Sequence, residues 1–319
     1  MTASYFAKGK VLISGEYLVL SGAKALVMPL QSGQWMHVRS LDPGESVIHW
    51  QANEYNNPWF SATIDTAAWI IAETTDQIMA ERLMMVLKAL HNLNGEILKP
   101  GQGYAITTNT TFKMSWGLGS SSALITNLAH WSGIDPFALL SGVSSGSGFD
   151  VAAAKADGPI VYRLQKGKPI VTPVHFLPDF RSCIWFVYLG NKKNSAESVS
   201  EFNHRASIRP WHIETINRLT NKLLNTNDLD EFTWAMGAHE LLISNLLQRK
   251  TVQEELFGDF EGTVKSLGAW GGDFIMAVSG GSPNYLTEYF KKKGFTTVFS
   301  FEDMVNSNVL TMKPHESQA

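Results

Sequence analysis

The segment Gly117 to Ala123, with the sequence GLGSSSA, combines residue types that suit the binding of an anion. Its two glycines let the backbone approach a ligand closely, and its three serines add hydroxyl donors and one candidate Mg²⁺ ligand. Alternating residues predict a strand over 104–112, and apolar residues at helical spacing predict a helix after the serines. Unpaired N–H groups and the positive end of that helix dipole would favour phosphate. An ordinary turn, in which Ser120 or Ser121 caps a buried helix, explains the segment equally well.

Other familiar signatures are incomplete in this sequence. Each G-x-G pair lacks the third glycine of a dinucleotide fingerprint, and no G-x-x-x-x-G-K-[ST] loop occurs. His239-Glu240 begins like a zinc helix, but Ile243 stands where the second histidine is needed. A G-x-S-x-G match at 142–146 follows a helix-like stretch instead of a strand, which leaves a serine hydrolase as a minor alternative.

The elements that must position the GLGSSSA loop fall into two halves. The first half shows strand-like segments, then a long helix predicted over 65–93, then the loop and a strand over 160–164. A polar stretch at 165–169 with glycine and proline marks the predicted boundary, which gives domains 1–165 and 166–319. In the second half, strands over 182–189, 274–278 and 295–301 are separated by helices. The helices are predicted over 211–224, 229–248 and 252–266. This order favours an α+β fold.

Composition excludes several classes of function. The chain has 319 residues, of which 44% are apolar, and this is enough for sizeable cores. A net charge of −3 and the lack of basic runs interleaved with aromatics argue against nucleic-acid binding. No apolar run is long enough for a membrane span, and the start does not resemble a leader peptide. The single cysteine, Cys183, indicates a reducing compartment, so we expect a cytoplasmic protein.

Three glycine-bearing segments occur in a specific order along the chain: AKGKVLISGEYLVLSG near the start, GLGSSSA in the middle and GAWGGDF near the end. Together they resemble the three signature motifs of the GHMP kinases, and the segments GEY and GSGFDVAAA are similar to those of mevalonate and phosphomevalonate kinases. The resemblance implies an N-terminal domain like domain 2 of ribosomal protein S5 and a ferredoxin-like C-terminal domain. The active site of that two-layer α+β architecture would lie between the two domains.

The resemblance also assigns a role to the loop and to two charged residues. It implies ATP and Mg²⁺ as cofactors, with Ser121 reaching the metal ion. Asp150 matches the catalytic aspartate and Lys10 the lysine of the first motif, although in isolation these residues read as a helix N-cap and a surface lysine. The loop residues that would bind the nucleotide are Gly117, Leu118, Gly119, Ser120, Ser121 and Ser122.

Acceptor binding is assigned by the same resemblance. It implies phosphorylation of mevalonate or phosphomevalonate by a monomer or homodimer whose partners are ATP and the small-molecule acceptor. The third motif is expected to pack against the loop. The residues expected at the acceptor are Glu16, Tyr17, Ser147, Gly148 and Ser195.

Two positions depart from the family pattern. Mevalonate kinases carry an acidic Mg²⁺ ligand about a dozen positions before the catalytic aspartate, whereas residues 137–145 contain no carboxylate and Asp135 is the nearest upstream acid. Lys8 stands where the family often has proline. Two alternatives stay open, and the missing carboxylate motivates the first of them. One is a non-catalytic or weakly active nucleotide-binding protein, and the other is a GHMP kinase for another acceptor, such as homoserine or a sugar.

Overall fold

The computed structural model of the protein describes residues 2–190, 195–270 and 272–306. A large sheet forms the first half of the protein. The strand order is β5-β4-β3-β6-β2-β7-β8, and β1 pairs with β2. All of these pairs are antiparallel except β3 with β6. The strands are β1 Thr2–Ser14, β2 Ala25–Ser40, β3 Val47–Glu54, β4 Asn57–Asp65, β5 Ile70–Thr74, β6 Tyr104–Thr110, β7 Ile160–Gln165 and β8 Lys168–Pro173.

Four helices belong to this half: α1 Gln77–Leu93, α2 Ser120–Ser132, α3 Pro136–Ser141 and α4 Phe149–Ala154. Apolar residues at helical spacing, such as Leu83, Leu87 and Leu90, bury one face of α1. They pack with Ile48 and Ile106 of the sheet in one buried cluster. The half is therefore a two-layer arrangement of helices on a sheet.

A second, four-stranded antiparallel sheet forms the other half, in the order β10-β11-β9-β12. Its strands are β9 Ile184–Tyr188, β10 Thr263–Leu267, β11 Phe274–Val278 and β12 Val298–Ser300. The helices are α5 Ser195–Arg205, α6 Pro210–Asn225, α7 Leu229–Leu247, α8 Val252–Leu256, α9 Pro283–Lys292 and α10 Phe301–Asn306. In the described residues, no helix has the length and hydrophobicity needed to span a membrane.

The two halves share a core. One continuous cluster joins Val11 and Leu26 of the first sheet to Phe186 and Phe274 of the second. Trp116, which directly precedes the GLGSSSA loop, is buried in the same cluster. The loop therefore lies where the two halves meet.

The α+β class is confirmed, but several predicted boundaries are wrong. The helix expected over 65–93 begins only at Gln77, where Asp76 caps it by accepting a hydrogen bond from Met79 N–H, and 70–74 form the edge strand β5. The helix expected over 252–266 ends at Leu256, and β10 follows. The division into domains 1–165 and 166–319 stays a prediction, and the residues around it form the β7–β8 pair of the first sheet, which extends to Pro173.

Candidate active site

Strand β1 holds the glycine–serine loop, which we define as residues 117–122. The backbone N–H of Lys10 donates to the Leu118 carbonyl at 2.9 Å, and Lys10 Nζ donates to the Gly117 carbonyl at 3.3 Å. A Cβ atom at Gly9 would lie 3.1 Å from the Leu118 oxygen, so the loop packs closely on the bare backbone of β1. The first and second glycine-bearing segments thus come together, as the sequence predicts.

The loop places the start of α2 in a geometry that can cradle an anion. Gly117 and Gly119 have φ angles of 66° and 94°, a left-handed conformation that favours glycine. The first helical hydrogen bond runs from Ala123 N–H to the Gly119 carbonyl at 2.9 Å. The preceding N–H groups, at the positive end of the helix, therefore lack helical acceptors. These groups fit the phosphates of a nucleotide.

The three serines of the loop have different environments. The N-cap of α2 is Gly119, without a side-chain hydrogen bond, so the expectation that Ser120 or Ser121 caps the helix is wrong. Ser122 is buried, and its hydroxyl donates to the Gly119 carbonyl at 3.0 Å. Ser121 is exposed and Ser120 half-buried. Ser121 is therefore the hydroxyl that is open to a ligand.

Asp150 lies in the first turn of α4, directly after Phe149. Gly148, with a φ of 86°, is the N-cap of this helix, so Asp150 is not the cap residue. The ammonium of Lys10 lies 5.5 Å from the centroid of the Phe149 ring. Although both residues are described, no ion pair joins Lys10 to Asp150 directly. Lys10 therefore contacts both the glycine–serine loop and the residue that precedes Asp150.

Tyr162 of β7 holds the turn before Asp150, and no sequence pattern predicts this role. The buried Tyr162 hydroxyl donates to the Ser147 carbonyl. Burial, with a smaller contribution from the Asp150 charge, raises the pKa of Tyr162 to about 12. The phenol therefore stays a hydrogen-bond donor throughout the physiological pH range.

The third glycine-bearing segment packs against the loop, as predicted. A Cβ atom at Gly117 would lie 1.9 Å from Oδ2 of Asp273, so the Asp273 carboxylate lies directly on the Gly117 backbone. The rings of Trp116 and Phe274 meet edge to face, with 6.1 Å between their centroids. The loop is thus fixed by β1 on one side and by the start of β11 on the other.

Glu16 and Tyr17 lie away from the loop, in the interior. The Glu16 side chain has no exposed area and accepts a hydrogen bond from Lys265 Nζ, while burial raises the pKa of its carboxyl group. The Tyr17 hydroxyl accepts from Trp270 N–H at 2.9 Å, and its ring stacks on Phe202 with 4.6 Å between centroids. Burial raises the pKa of Tyr17 to about 12. Acceptor binding by Glu16 and Tyr17 stays a prediction. Their burial does not favour it, because neither side chain is open to a ligand.

Glu16 belongs to a buried polar cluster with His239, Glu240 and Lys265. His239 Nε2 accepts from Gly15 N–H at 3.0 Å and lies 3.2 Å from Oε2 of Glu16. Burial lowers the pKa of His239 well below its usual value, so the ring is neutral. This cluster ties the turn after β1 to α7 and β10, and His239 has a structural role instead of binding zinc.

The remaining acceptor candidates are Ser147, Gly148 and Ser195. Ser147 and Gly148 lie in the turn that leads to Asp150, directly before Phe149, whose ring Lys10 contacts. Ser195 is the first residue of α5, and its side chain lies outside the described part of the structure, as does Gly271 of the third segment. The structure therefore brings together Lys10, the glycine–serine loop and the turn before Asp150.

The donors present suit phosphate better than a metal ion. Within the described ranges, no group of three or more His, Cys, Asp or Glu residues could hold a metal. Asp135 is exposed and caps α3 by accepting from Phe137 N–H at 3.3 Å. Besides the Asp273 carboxylate on Gly117, Ser121 and Asp150 stay the predicted oxygen donors, and a Mg²⁺ ion would take its other ligands from phosphate and water.

Comparisons with known proteins show the fold to which this site belongs. Neither a protein-family model nor a curated protein matches the sequence. Among solved structures, L. major mevalonate kinase in complex with R-mevalonate is 19% identical with a TM-score of 0.64, covering 94% of this chain and 95% of that chain. Streptococcus pneumoniae phosphomevalonate kinase, in complex with phosphomevalonate and AMPPNP, is 14% identical with a TM-score of 0.68 and coverages of 93% and 99%.

A galactokinase extends the comparison beyond the mevalonate pathway. The Lactococcus lactis enzyme in complex with galactose is 11% identical with a TM-score of 0.60, covering 95% of this chain and 90% of that chain. Likeness at these identities concerns the fold. The chain has the fold of the GHMP kinases, and mevalonate and phosphomevalonate kinases are among its solved structural neighbours.

Proposed function

We propose that this protein is an ATP-dependent small-molecule kinase that phosphorylates mevalonate or phosphomevalonate. The observation that carries the proposal is the position of Lys10. Its backbone and side chain bind two carbonyls of the glycine–serine loop, and its ammonium lies over the ring of Phe149, next to Asp150. A cation that contacts both an anion cradle and the residue preceding a carboxylate suits phosphoryl transfer, which depends on positioning and charge stabilisation.

Each group has a defined task in this proposal. When bound, ATP supplies the phosphoryl group and Mg²⁺ offsets the charge of the phosphates. The N–H groups at the start of α2 bind phosphate oxygens, and the exposed Ser121 hydroxyl is the protein oxygen offered to the metal. Asp150 orients the acceptor hydroxyl and takes its proton, while Lys10 offsets negative charge.

The two acceptors require different chemistry. Transfer to the hydroxyl of mevalonate benefits from a base, and a positioned base contributes about 10²- to 10⁴-fold to such a reaction. Transfer to the phosphate of phosphomevalonate needs no strong base but does need cations around the acceptor. The effect of Asp150→Asn therefore helps to distinguish the acceptors: it should nearly abolish transfer to mevalonate and reduce transfer to phosphomevalonate much less.

The test is a coupled ATP-consumption assay with each acceptor, using wild type, Asp150→Asn and Lys10→Met. Asp157→Asn is the matched control, because Asp157 is an exposed acid just beyond the same helix, α4. We expect turnover of one acceptor by wild type and the control, and a loss of about 10²-fold or more in Lys10→Met. Asp150→Asn should show a loss of the same size only if the acceptor is mevalonate. Absence of turnover with both acceptors would refute the assignment.

A nucleotide-binding protein without catalysis is the second candidate, and the sparse set of metal donors favours it. In that case the purified protein would bind ATP but show no Mg²⁺-dependent turnover with mevalonate, phosphomevalonate, homoserine or sugars. Turnover of homoserine or a sugar alone would instead indicate a kinase with another acceptor. The proximity of Lys10 to the turn before Asp150 argues for the catalytic alternative, because a scaffold has no chemical need for that pair.

A further inference from the structure

Lys8 binds the end of the helix that carries Asp150. Its Nζ donates to the carbonyls of Ala156 and Asp157, at 2.9 and 3.2 Å, just beyond the last residue of α4. Carbonyl groups at the C-terminal end of a helix lack partners and carry partial negative charge. The half-buried ammonium of Lys8 satisfies two carbonyls that follow this end.

Lys10, two residues later on the same strand, contacts the other end of α4. Its ammonium lies 5.5 Å from the ring centroid of Phe149, the first residue of the helix. Six residues of helix span only about 9 Å. Strand β1 therefore contacts both ends of a short rigid element whose first turn contains Asp150.

The irregularity of β1 at this point matches these two contacts. Lys8 pairs with Gly33 and Lys10 with Pro29, so the register of the strand shifts across Gly9. Such bulges re-aim the side chains beside them. Gly9 itself packs closely under the Leu118 carbonyl, where a Cβ atom would lie at 3.1 Å. Three consecutive residues thus contact the end of α4, the glycine–serine loop and the start of α4.

We propose that Lys8 is a positioning residue for phosphoryl transfer. By holding the C-terminal end of α4, Lys8 fixes the Asp150 carboxylate relative to Lys10 and to the glycine–serine loop. The inference rests on the proposed function, since it assigns Lys8 to the same site. The hydrogen bonds of Lys8 Nζ run to Ala156 and Asp157 and not to the loop that would bind ATP, so its loss should affect turnover more than nucleotide affinity.

Steady-state kinetics test this role with Lys8→Met, Lys8→Arg and the control Lys155→Met. Lys155→Met removes one positive charge from the same end of the helix. The Lys155 ammonium, however, lies over the Phe137 ring, 5.4 Å from the ring centroid. We expect Lys8→Met to lower kcat about 10- to 100-fold, the scale of a small misplacement of reacting groups, and to leave the KM for ATP within about 2-fold. Lys8→Arg should recover most of kcat, because guanidinium N–H groups can also bind the two carbonyls. Lys155→Met should match wild type.

Amide hydrogen exchange of the ligand-free protein gives a readout that does not need activity. Lys8→Met should speed the exchange of residues 150–157 about 10-fold or more while α1 keeps its wild-type rates. If Lys8→Met does not fold, Lys8→Gln, whose amide keeps two donors, takes its place. Wild-type exchange together with wild-type kcat would overturn the proposal, and so would equal losses in Lys8→Met and Lys155→Met. A wild-type protein without turnover would refute the proposed function, and the exchange rates alone would then decide whether Lys8 holds α4.

Discussion

The carboxylate of Asp273 occupies the space that a side chain on Gly117 would need. A Cβ atom at Gly117 would lie 1.9 Å from Oδ2 and 2.4 Å from Cγ of Asp273. Gly117 also has a φ of 66°, which disfavours other residues. The first residue of the glycine–serine loop is therefore constrained both by its own backbone and by a residue 156 positions later in the printed sequence.

Gly117→Ala should weaken nucleotide binding, because the added methyl group must displace Asp273 or the loop. Gly133→Ala is a matched control at the other end of α2: its φ is 69°, and a Cβ atom there would meet nothing within 4 Å. Both variants cost about 1–2 kcal/mol for the left-handed backbone, and the contact with Asp273 occurs at Gly117 and not at Gly133. We expect at least about 10-fold weaker ATP binding for Gly117→Ala, measured by calorimetry, given a typical overpacking cost of about 1–3 kcal/mol. Equal affinities for the two variants would contradict this interpretation.

Tyr162→Phe should lower turnover without lowering ATP affinity. The variant removes the hydrogen bond to the Ser147 carbonyl, and with it a restraint on the turn before Asp150. An expected loss of about 10-fold in kcat corresponds to about 1.4 kcal/mol, the scale of one buried hydrogen bond. Because the pKa of Tyr162 is about 12, the effect should be constant between pH 6 and 9. Tyr104→Phe, which removes a 3.3 Å bond to Gln102 on the adjoining loop, should leave kcat unchanged.

Lys265→Met should destabilise the fold more than the double variant Glu16→Gln/Lys265→Met, which removes both members of the ion pair. The variant leaves Glu16 and Glu240 buried without a cation, and breaking a buried ion pair costs about 3–5 kcal/mol. Glu16→Gln/Lys265→Met removes both charges of the pair and should recover part of that loss. Urea unfolding of Glu16→Gln, of Lys265→Met and of the double variant measures the coupling free energy between the two residues. Strict additivity would show that Glu16 and Lys265 contribute independently.

Glu240 should make stability depend on pH near neutrality. Burial raises its pKa from 4.5 to about 7, with Lys265 opposing the shift and the Glu16 charge adding to it. The folded state therefore retains a proton that the unfolded state releases. This contribution to the free energy of unfolding is fully present below pH 4.5 and is lost as pH rises through about 7. Its size is about 3 kcal/mol.

Glu240→Gln should reduce this decline, and the raised pKa of Glu16 accounts for the part that stays. Glu240 accepts from Ser266 N–H at 3.1 Å, from the Ser266 hydroxyl at 2.9 Å and from Val252 N–H at 3.5 Å. A glutamine amide can keep both bonds to Ser266, by accepting from its N–H and donating to its hydroxyl. In thermal unfolding experiments between pH 5 and 8, the unfolding temperature should therefore fall less steeply with pH for Glu240→Gln than for wild type. Glu255→Gln, at an exposed carboxylate of α8, serves as the control and should keep the wild-type slope. If the unfolding temperatures of wild type and Glu240→Gln depended on pH with the same slope, Glu240 would not be the source of the decline.

Local patterns predicted the parts of the fold that depend on neighbours in sequence. Apolar spacing indicated α6 and α7 within about two residues of their ends. The same criterion wrongly extended α1 back to residue 65, because the edge strand β5 is half exposed and carries no clear alternation. In the site, the three glycine-bearing segments were visible as motifs. The contacts of Lys8, Tyr162 and Asp273 were not, because each joins residues that only the folded chain brings together.

The core shared by the two halves limits how the site can open. Trp116, beside the glycine–serine loop, packs against Phe274 and Phe299 of the second sheet, with 6.1 and 5.3 Å between ring centroids. A hinge rotation of one half against the other would expose these rings to water, at about 25 cal/mol for each Å² of apolar surface. Substrate entry and product release are therefore expected to rely on movement of individual loops and side chains, and the two halves should unfold in a single transition.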